Sequence, residues 1–397
     1  MKAFLKTLST ILLLILFQQS LFADFFSGEP DANTASDTTK EKKPVAVAPY
    51  GLVNIFNNPI PGAQVAAIGN ITRDRSSGFQ CGGIFNTAAE HHGAQVAGIV
   101  NTAGKSLGIQ IGGIINRSDN GNNTQLAGLV NNALTDSSGT NCRQPLQVSG
   151  LINTSYGAVT QIAGIGNVTS SASELQIGGI FNNCNSTSDA QVAGIVNRCS
   201  ENKGVQVAGI VNTCTYFKGV QVGLVNIADS CHGVQIGLIN IVRNNGYMKL
   251  ELSGDEMFYT NIGLRSGVRK LYGIASIGIK PDDLNGPLWN TGLGMGTMFA
   301  LSPRTSLSID AMHHQIYYGH HCGENYLTRL NVGIDHMISP KLSLYTGLTF
   351  NLLYTDDDDA KYTDTYSTID PYHFTEFNWF GDNVKPWVGL KIGVRLF

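Results

Sequence analysis

An all-β fold is what the sequence predicts: a β-solenoid of about 15-residue rungs over residues 50–246, then an eight-stranded antiparallel β-barrel of the outer-membrane type over residues 247–397. Three observations lead there. A phrase that opens on Gln and closes on Asn recurs through the first half of the chain, most copies starting 15 residues after the last. After Asn245 the phrase stops, and longer segments of alternating hydrophobicity follow, each ending in a turn signal. Past residue 23 no long apolar run appears, so residence in a membrane would have to be through strands.

The phrase reads Gln95-Val-Ala-Gly-Ile-Val-Asn101 and recurs, with conservative changes, at Gln64, Gln80, Gln110, Gln125, Gln147, Gln161, Gln176, Gln191 and Gln206. Two copies shorter by one residue, Gln221–Asn226 and Gln235–Asn240, end the series, and a half-copy, Gly51–Asn54, opens it. So short a period cannot hold a helix pair, and a β-branched phrase bracketed by Gly, Asn, Ser and Thr reads as a strand plus turn. One such rung cannot bury its own apolar residues, so stability must come from stacking on neighbours about 4.8 Å away. Like residues then align in columns. Gln95, Gln110, Gln125, Gln176, Gln191 and Gln206, with Asn101, Asn116, Asn131, Asn182, Asn197 and Asn212, are the candidate structural ladder, their amides bonding up and down the stack. The closing Asn also tolerates the left-handed backbone that a corner needs. Ala-Gly or Gly-Gly at the phrase centre implies backbone layers in close approach, and the missing residue of the last two copies is most easily absorbed at a bend there. The competing picture is an antiparallel meander feeding a larger barrel. Seven-residue phrases are shorter than the roughly 9–11 residues of a membrane strand and lack its alternation.

Three of the seven cysteines fall on the repeat, Cys184, Cys199 and Cys214 each lying two residues after the closing Asn. The same place in other rungs holds Ala88, Ala103, Ser118, Ala133, Ser155, Thr169 and Ala228, a column of small side chains that Cys fits as a small hydrophobe. A disulfide between adjacent members is the alternative, since strand spacing lies within the permitted Cα separation. A zinc site is disfavoured because a straight column does not enclose a tetrahedron. Cys81 replaces a Val inside a phrase, while Cys142, Cys231 and Cys322 read as turn or loop residues.

In the second half, strands are expected near Tyr247–Ser253, Phe258–Gly267, Lys270–Ile279, Leu288–Leu301, Thr305–Tyr318, Asn325–Ile338, Leu342–Thr355 and Pro386–Phe397. Tight links after the second, fourth and sixth, and longer ones after the third, fifth and seventh, match the short periplasmic turns and longer outer loops of membrane barrels. An even strand count puts both ends on the periplasmic side, and the solenoid with them unless the chain threads the lumen, whereas one strand more or fewer would put the repeats at the cell exterior; the repeat region is thus expected to be surface-exposed or periplasmic. Eight strands leave an interior just wide enough for side chains.

The chain opens with Lys2 and Lys6 around an apolar run to Phe17, and Leu21-Phe22-Ala23 offers a cleavage site, so residues 1–23 read as a signal peptide. Residues 24–49, polar and without apolar period, read as a disordered linker. A net charge of −3 with only 14% charged residues gives no footprint for nucleic acid. The phrases Gly204-Val-Gln-Val-Ala-Gly-Ile-Val-Asn212 and Gly233-Val-Gln-Ile-Gly-Leu-Ile-Asn240, followed by Glu256-Met-Phe-Tyr-Thr-Asn-Ile-Gly-Leu264, resemble the surface repeat-containing protein family of Gram-negative and spirochaete envelopes. The resemblance covers nearly all of the chain past the signal segment. It implies outer-membrane location and surface display, and it brings no activity and no functional residues. A looser similarity is to the stacked-strand heads of trimeric autotransporter adhesins, but here the anchor is too long and has too many strands for that class.

Candidate chemistry is sparse. Asp356–Asp359 has the carboxylate density that Ca²⁺ favours, without a defined ligand spacing. His313-His314 with His320-His321-Cys322 offers transition-metal ligand types, yet neighbours on a strand point to opposite faces. His91-His92 reads as a turn. Carboxylates occur only singly in the repeats, and no nucleophile–base set or phosphate-binding loop is apparent. No cofactor or metal is expected. The expectation is a non-enzymatic outer-membrane structural or adhesion protein, its partners being outer-membrane lipid and an envelope or extracellular protein or glycan. The alternative is a small transport or gating barrel with the repeats as a periplasmic plug or docking arm.

Overall fold

The computed structural model describes residues 50–134, 143–281, 287–318, 321–356, 374–375, 377–379 and 382–397. The expected signal peptide and linker, Cys142, His320 and Asp357–Asp359 lie outside the described residues. The protein is all-β, a solenoid of about 12 turns followed by a closed eight-strand antiparallel barrel.

In the solenoid every rung pairs in parallel with the next, and the sequence repeat is the register: Gln95 lies opposite Gln110 and Asn101 opposite Asn116. The register survives the one long insertion, Gln125 meeting Gln147 and Asn131 meeting Asn153. At the shortened rungs Gln206 faces Gln221 while Asn212 faces Asn226, so the residue is lost at the bend between them and neither flank changes face. Strand alternation puts Gln and the following Ala or Gly on one side of the wall and the Val or Ile between them on the other. The amide side is the inside. The Gln, Asn and small-residue columns are buried, whereas the Val and Ile columns face outward, partly covered by their neighbours above and below; Ile111, for example, keeps 41% of its surface.

Two glycine columns explain the narrow section. At the phrase centre a methyl on Gly98, Gly113 or Gly128 would overlap the carbonyl oxygen of the glycine one rung below, which is why this corner carries Gly. The Asn residues do not supply the left-handed corners. Among the described residues the only non-Gly positive φ belongs to Phe397, and the left-handed corners are at Gly62, Gly78, Gly93, Gly108 and Gly121. A Cβ at Gly93 or Gly108 would again strike the rung beneath, so only Gly fits there; the Asn side chain is instead required inside.

The barrel strands are Tyr247–Asp255, Thr260–Val268, Leu271–Lys280, Leu288–Ala300, Thr305–Tyr318, His321–Ser339, Leu342–Asp356 and Asp382–Leu396, and the first pairs with the last to close the cylinder. A short strand, Phe377–Trp379, pairs onto the last one before it. The sixth strand begins at His321, which pairs with Tyr318 of the fifth, so Cys322, expected in a loop, is a strand residue. Outward positions carry an aliphatic belt including Leu252, Ile262, Ile277, Leu293, Leu348 and Ile392, each well exposed. Inward positions carry ions and amides. The strands are thus apolar outside and polar inside.

Solenoid and barrel are joined by contact as well as by chain. Asn240 in the last rung donates its backbone N–H to Ser266 Oγ at 3.1 Å and its side-chain amide to Ser266 O at 3.4 Å. Val268, at the tight link after the second barrel strand, packs into the cluster of Cys184, Cys199, Cys214, Phe217, Ala228 and Cys231. The repeat stack therefore rests on the tight-link end of the barrel, where the barrel segment also begins and the chain ends.

Candidate functional site

The residues singled out by the repeat form two hydrogen-bonded columns of opposite polarity. Each Gln Nε2 donates toward the preceding rung: Gln95 to Gln80 Oε1 at 2.7 Å, Gln110 to Gln95 at 2.8 Å, Gln125 to Gln110 at 2.9 Å. Gln176, Gln191 and Gln206 continue the run to Gln161, Gln176 and Gln191 at 2.8, 2.7 and 2.7 Å. Each Asn Nδ2 donates toward the following rung: Asn101 to Asn116 Oδ1 at 2.9 Å, Asn116 to Asn131 at 3.0 Å, Asn182 to Asn197 at 2.9 Å, Asn197 to Asn212 at 3.0 Å. The second Asn hydrogen reaches a backbone carbonyl of that next rung, as in Asn101 to Ile111 O and Asn116 to Leu126 O, both 2.7 Å. Side chains thus satisfy one another in a core that holds little hydrocarbon, each buried bond contributing about 1 kcal/mol net and a broken one costing more. With donors running one way in one column and the other way in its neighbour, the amide dipoles of the two columns oppose.

The small column is buried as a whole, and Cys184, Cys199 and Cys214 occupy it as free thiols. Cys199 Sγ donates to Cys214 Sγ at 3.2 Å, and Cys214 in turn to Tyr216 O at 3.0 Å. The hydrogen bond to Cys214, then burial, pushes the Cys199 thiol far above its ordinary range. Cys231 is buried at the end of a strand rather than exposed in a turn, and burial raises its pKa. Of the described free cysteines only Cys81 is not buried.

His91 and His92 lie in a continuous strand rather than a turn. His91 is fully buried between Ser76 and Ser106 of the adjoining rungs, and burial lowers its pKa to about 4. At the same corner Arg75, Glu90 and Lys105 stack as ion partners, with Glu90 held at about 2, chiefly by its hydrogen bond to His92. The barrel histidines separate as strand geometry requires: His314 points inward, 2.9 Å from Asn290 Oδ1, and His313 outward, 3.0 Å from Thr328 Oγ1. Asp356 ends the seventh strand.

The barrel interior is the second feature, and the repeat and motif patterns of the sequence do not single out its residues. Glu251 at its centre accepts from Arg265, Arg395 and Lys391 at 2.7–2.9 Å. Asp310 lies 2.9 Å from Arg265 and accepts from Tyr272 Oη at 2.6 Å, and Asp335 holds Arg395 at 2.7 Å. The Arg395 guanidinium also sits 4.0 Å over the Tyr345 ring. Nearer the other end Asp255 pairs with Arg329 at 2.6 Å. Above that pair the cluster Met257, Phe258, Leu288, Ile316, Leu327, Leu353 and Trp387 fills the lumen. Glu256 accepts from Trp387 Nε1 at 2.8 Å and from Leu390 N at 3.1 Å, at the stretch of the last strand that the first is too short to pair. The segment Glu256–Phe258 is thus both stopper and seam. The signal present in sequence was the placing of Glu251, Arg265, Asp310, Asp335, Lys391 and Arg395 all on inward positions; their pairing joins residues up to 144 apart and cannot be read from spacing.

Among the described residues no group of three or more His, Cys, Asp or Glu could hold a metal ion. Compared with protein-family models, curated proteins and solved structures, the chain matches none of them.

Proposed function

We propose that the chain is an outer-membrane protein with a non-enzymatic, structural or adhesive role, in which a sealed barrel anchors a rigid repeat arm. The observation that carries this reading is the barrel itself: eight closed strands with an aliphatic outer belt and a lumen filled by matched ions and an apolar stopper. Such a wall suits lipid outside, and its interior leaves nothing for a solute to cross. That filling supports an anchor over the rival reading, a transport or gating barrel. The resemblance of the repeat phrases to surface repeat-containing proteins points the same way. The stack meets the barrel at the end where the barrel segment begins, which in such barrels is the periplasmic one; this supports an arm inside the envelope, in reach of an envelope protein or glycan, and the surface display that the resemblance implies is the competing placement.

Protease added to intact cells tests the placement. Repeats that stay whole until the outer membrane is breached support it, whereas cleavage within residues 50–246 on intact cells means surface display. Reconstitution in planar bilayers tests the role, with no stable open channel expected and sustained conductance refuting the anchor.

A further inference from the structure

One face of the solenoid is apolar along its whole length. The residues just before and just after each ladder Gln point outward, and beside them runs the corner column that follows the phrase-centre Gly. Across all twelve rungs these three columns contain Ile, Val, Leu, Ala, Phe and Cys81, with Thr124 and Thr160 as their only hydroxyls and no charged residue. Ile109, Ile111, Ile114, Ile162 and Ile177 each keep 36–43% of their surface, in straight rows. Charged partners such as Arg75, Glu90, Lys105, Arg143 and Glu174 stand elsewhere on the rungs.

We propose that this face pairs with the same face of a second copy of the chain. The first argument is area. Twelve rungs at about 4.8 Å, by a face roughly 14 Å wide, give on the order of 800 Å² per copy, the size a standard stable interface takes from each partner. The second is fit. A wall ruled at strand spacing is matched in period by another copy of itself, and aliphatic rows on two facing sheets interdigitate as in a sandwich core. The third is what the face lacks. The barrel shows how this chain furnishes a surface beside its aliphatic belt, with stacked Trp289 and Tyr317 and with Lys280 over Tyr259. The solenoid columns have no Trp, Tyr, Lys or Arg to hold them at a lipid headgroup layer.

The test uses the full chain in lipid nanodiscs. Mass measurement should find two copies per assembly, and Ile162→Lys with Ile177→Lys should reduce that to one while the barrel keeps its heat-modifiable gel mobility. Should the paired lysines unfold the stack, single Ile111→Cys, Ile162→Cys and Ile177→Cys variants in a Cys81→Ala background give an independent reading: a short bismaleimide should link two chains through at least one of them, beyond any link formed in that background alone. One copy per disc with no cross-link at any position overturns the proposal. A fluorophore on Ile177→Cys that is quenched by spin-labelled lipid in a one-copy assembly also overturns it, and assigns the face to the bilayer. Neither result bears on the anchor reading, which rests on the barrel alone.

Discussion

Replacing Asn131 by Ala should destabilise the solenoid by about 4 kcal/mol, an effect far beyond that of an ordinary polar-to-Ala change. Asn131 donates to Val148 O at 2.7 Å, Asn153 Oδ1 at 2.9 Å and Gln125 O at 3.1 Å, and accepts from Asn116 Nδ2 at 3.0 Å. Asn116 keeps its bonds to Leu126 O and Gln110 O, so its loss is small. Val148 O and Asn153 Oδ1 lose this donor in a place water does not reach, at ~1–3 kcal/mol each, and the cavity adds to that. Because stacked rungs can open locally, two measurements belong together: the guanidinium midpoint of the whole chain, and hydrogen exchange of peptides covering residues 125–153. Protection should fall on both rungs beside the substitution and recover with distance. The outward Thr102→Ala is the control and should move stability by less than about 0.5 kcal/mol. If Asn131→Ala behaves like that control, the amide columns do not hold the stack together, and the backbone ladder alone must do so.

Other outcomes follow from the same geometry. His91 is neutral in the fold, with a pKa of about 4 against 6.5 unfolded, so its contribution is complete above pH 6.5 and is lost as pH falls toward 4, roughly 3 kcal/mol in all. His91→Ser, which matches Ser76 and Ser106 above and below, should flatten that slope between pH 7 and 4.5 in denaturation midpoints. Gly128→Ala places a methyl against Gly113 O and should cost roughly 2–3 kcal/mol, read as a lowered midpoint, whereas the same change at Gly62, where the space is open, meets only the penalty of its left-handed backbone. In the folded chain held as a single copy, where the face bearing Cys81 is uncovered, a maleimide should label Cys81 and spare Cys184, Cys199, Cys214 and Cys231 until denaturant is added; rapid labelling of Cys199 would contradict its burial and raised pKa.

The two halves were legible in the sequence to different depths. Register in the solenoid was legible directly, because identical residues at a fixed spacing are the pairing: Gln95 to Gln110 needs no further information. The barrel strands were legible from alternation and from turns such as Ser339-Pro340-Lys341, and Thr305–Tyr318 coincides with its expected span. Which side of the rung faces inward was harder. Gln-Val-Ala alternation is equally consistent with a Val-lined core, and only the close backbone approach at Gly98, Gly113 and Gly128 leaves room for flat amides and Ala but not for branched side chains. The closing Asn belongs to the inward ladder, as its spacing predicts; only the added left-handed corner role fails, because that preference is local whereas the inward position is fixed by the stack. The lumen ions lay hidden for a different reason: Glu251 and Arg395 meet only because the barrel closes, and closure is a property of the whole sheet.

The uniform polarity of the ladders bears on how such a chain changes over generations. Since Gln110 finds the same ladder donor above and the same ladder acceptor below as Gln95 does, deleting or duplicating one 15-residue unit leaves the amide-ladder contacts of the remaining rungs as they were. Misaligned recombination between tandem gene segments could therefore lengthen or shorten the arm in whole steps without any new core to refine. The irregular places, the insertion before Arg143 and the two trimmed turns ahead of the barrel, mark where that freedom stops.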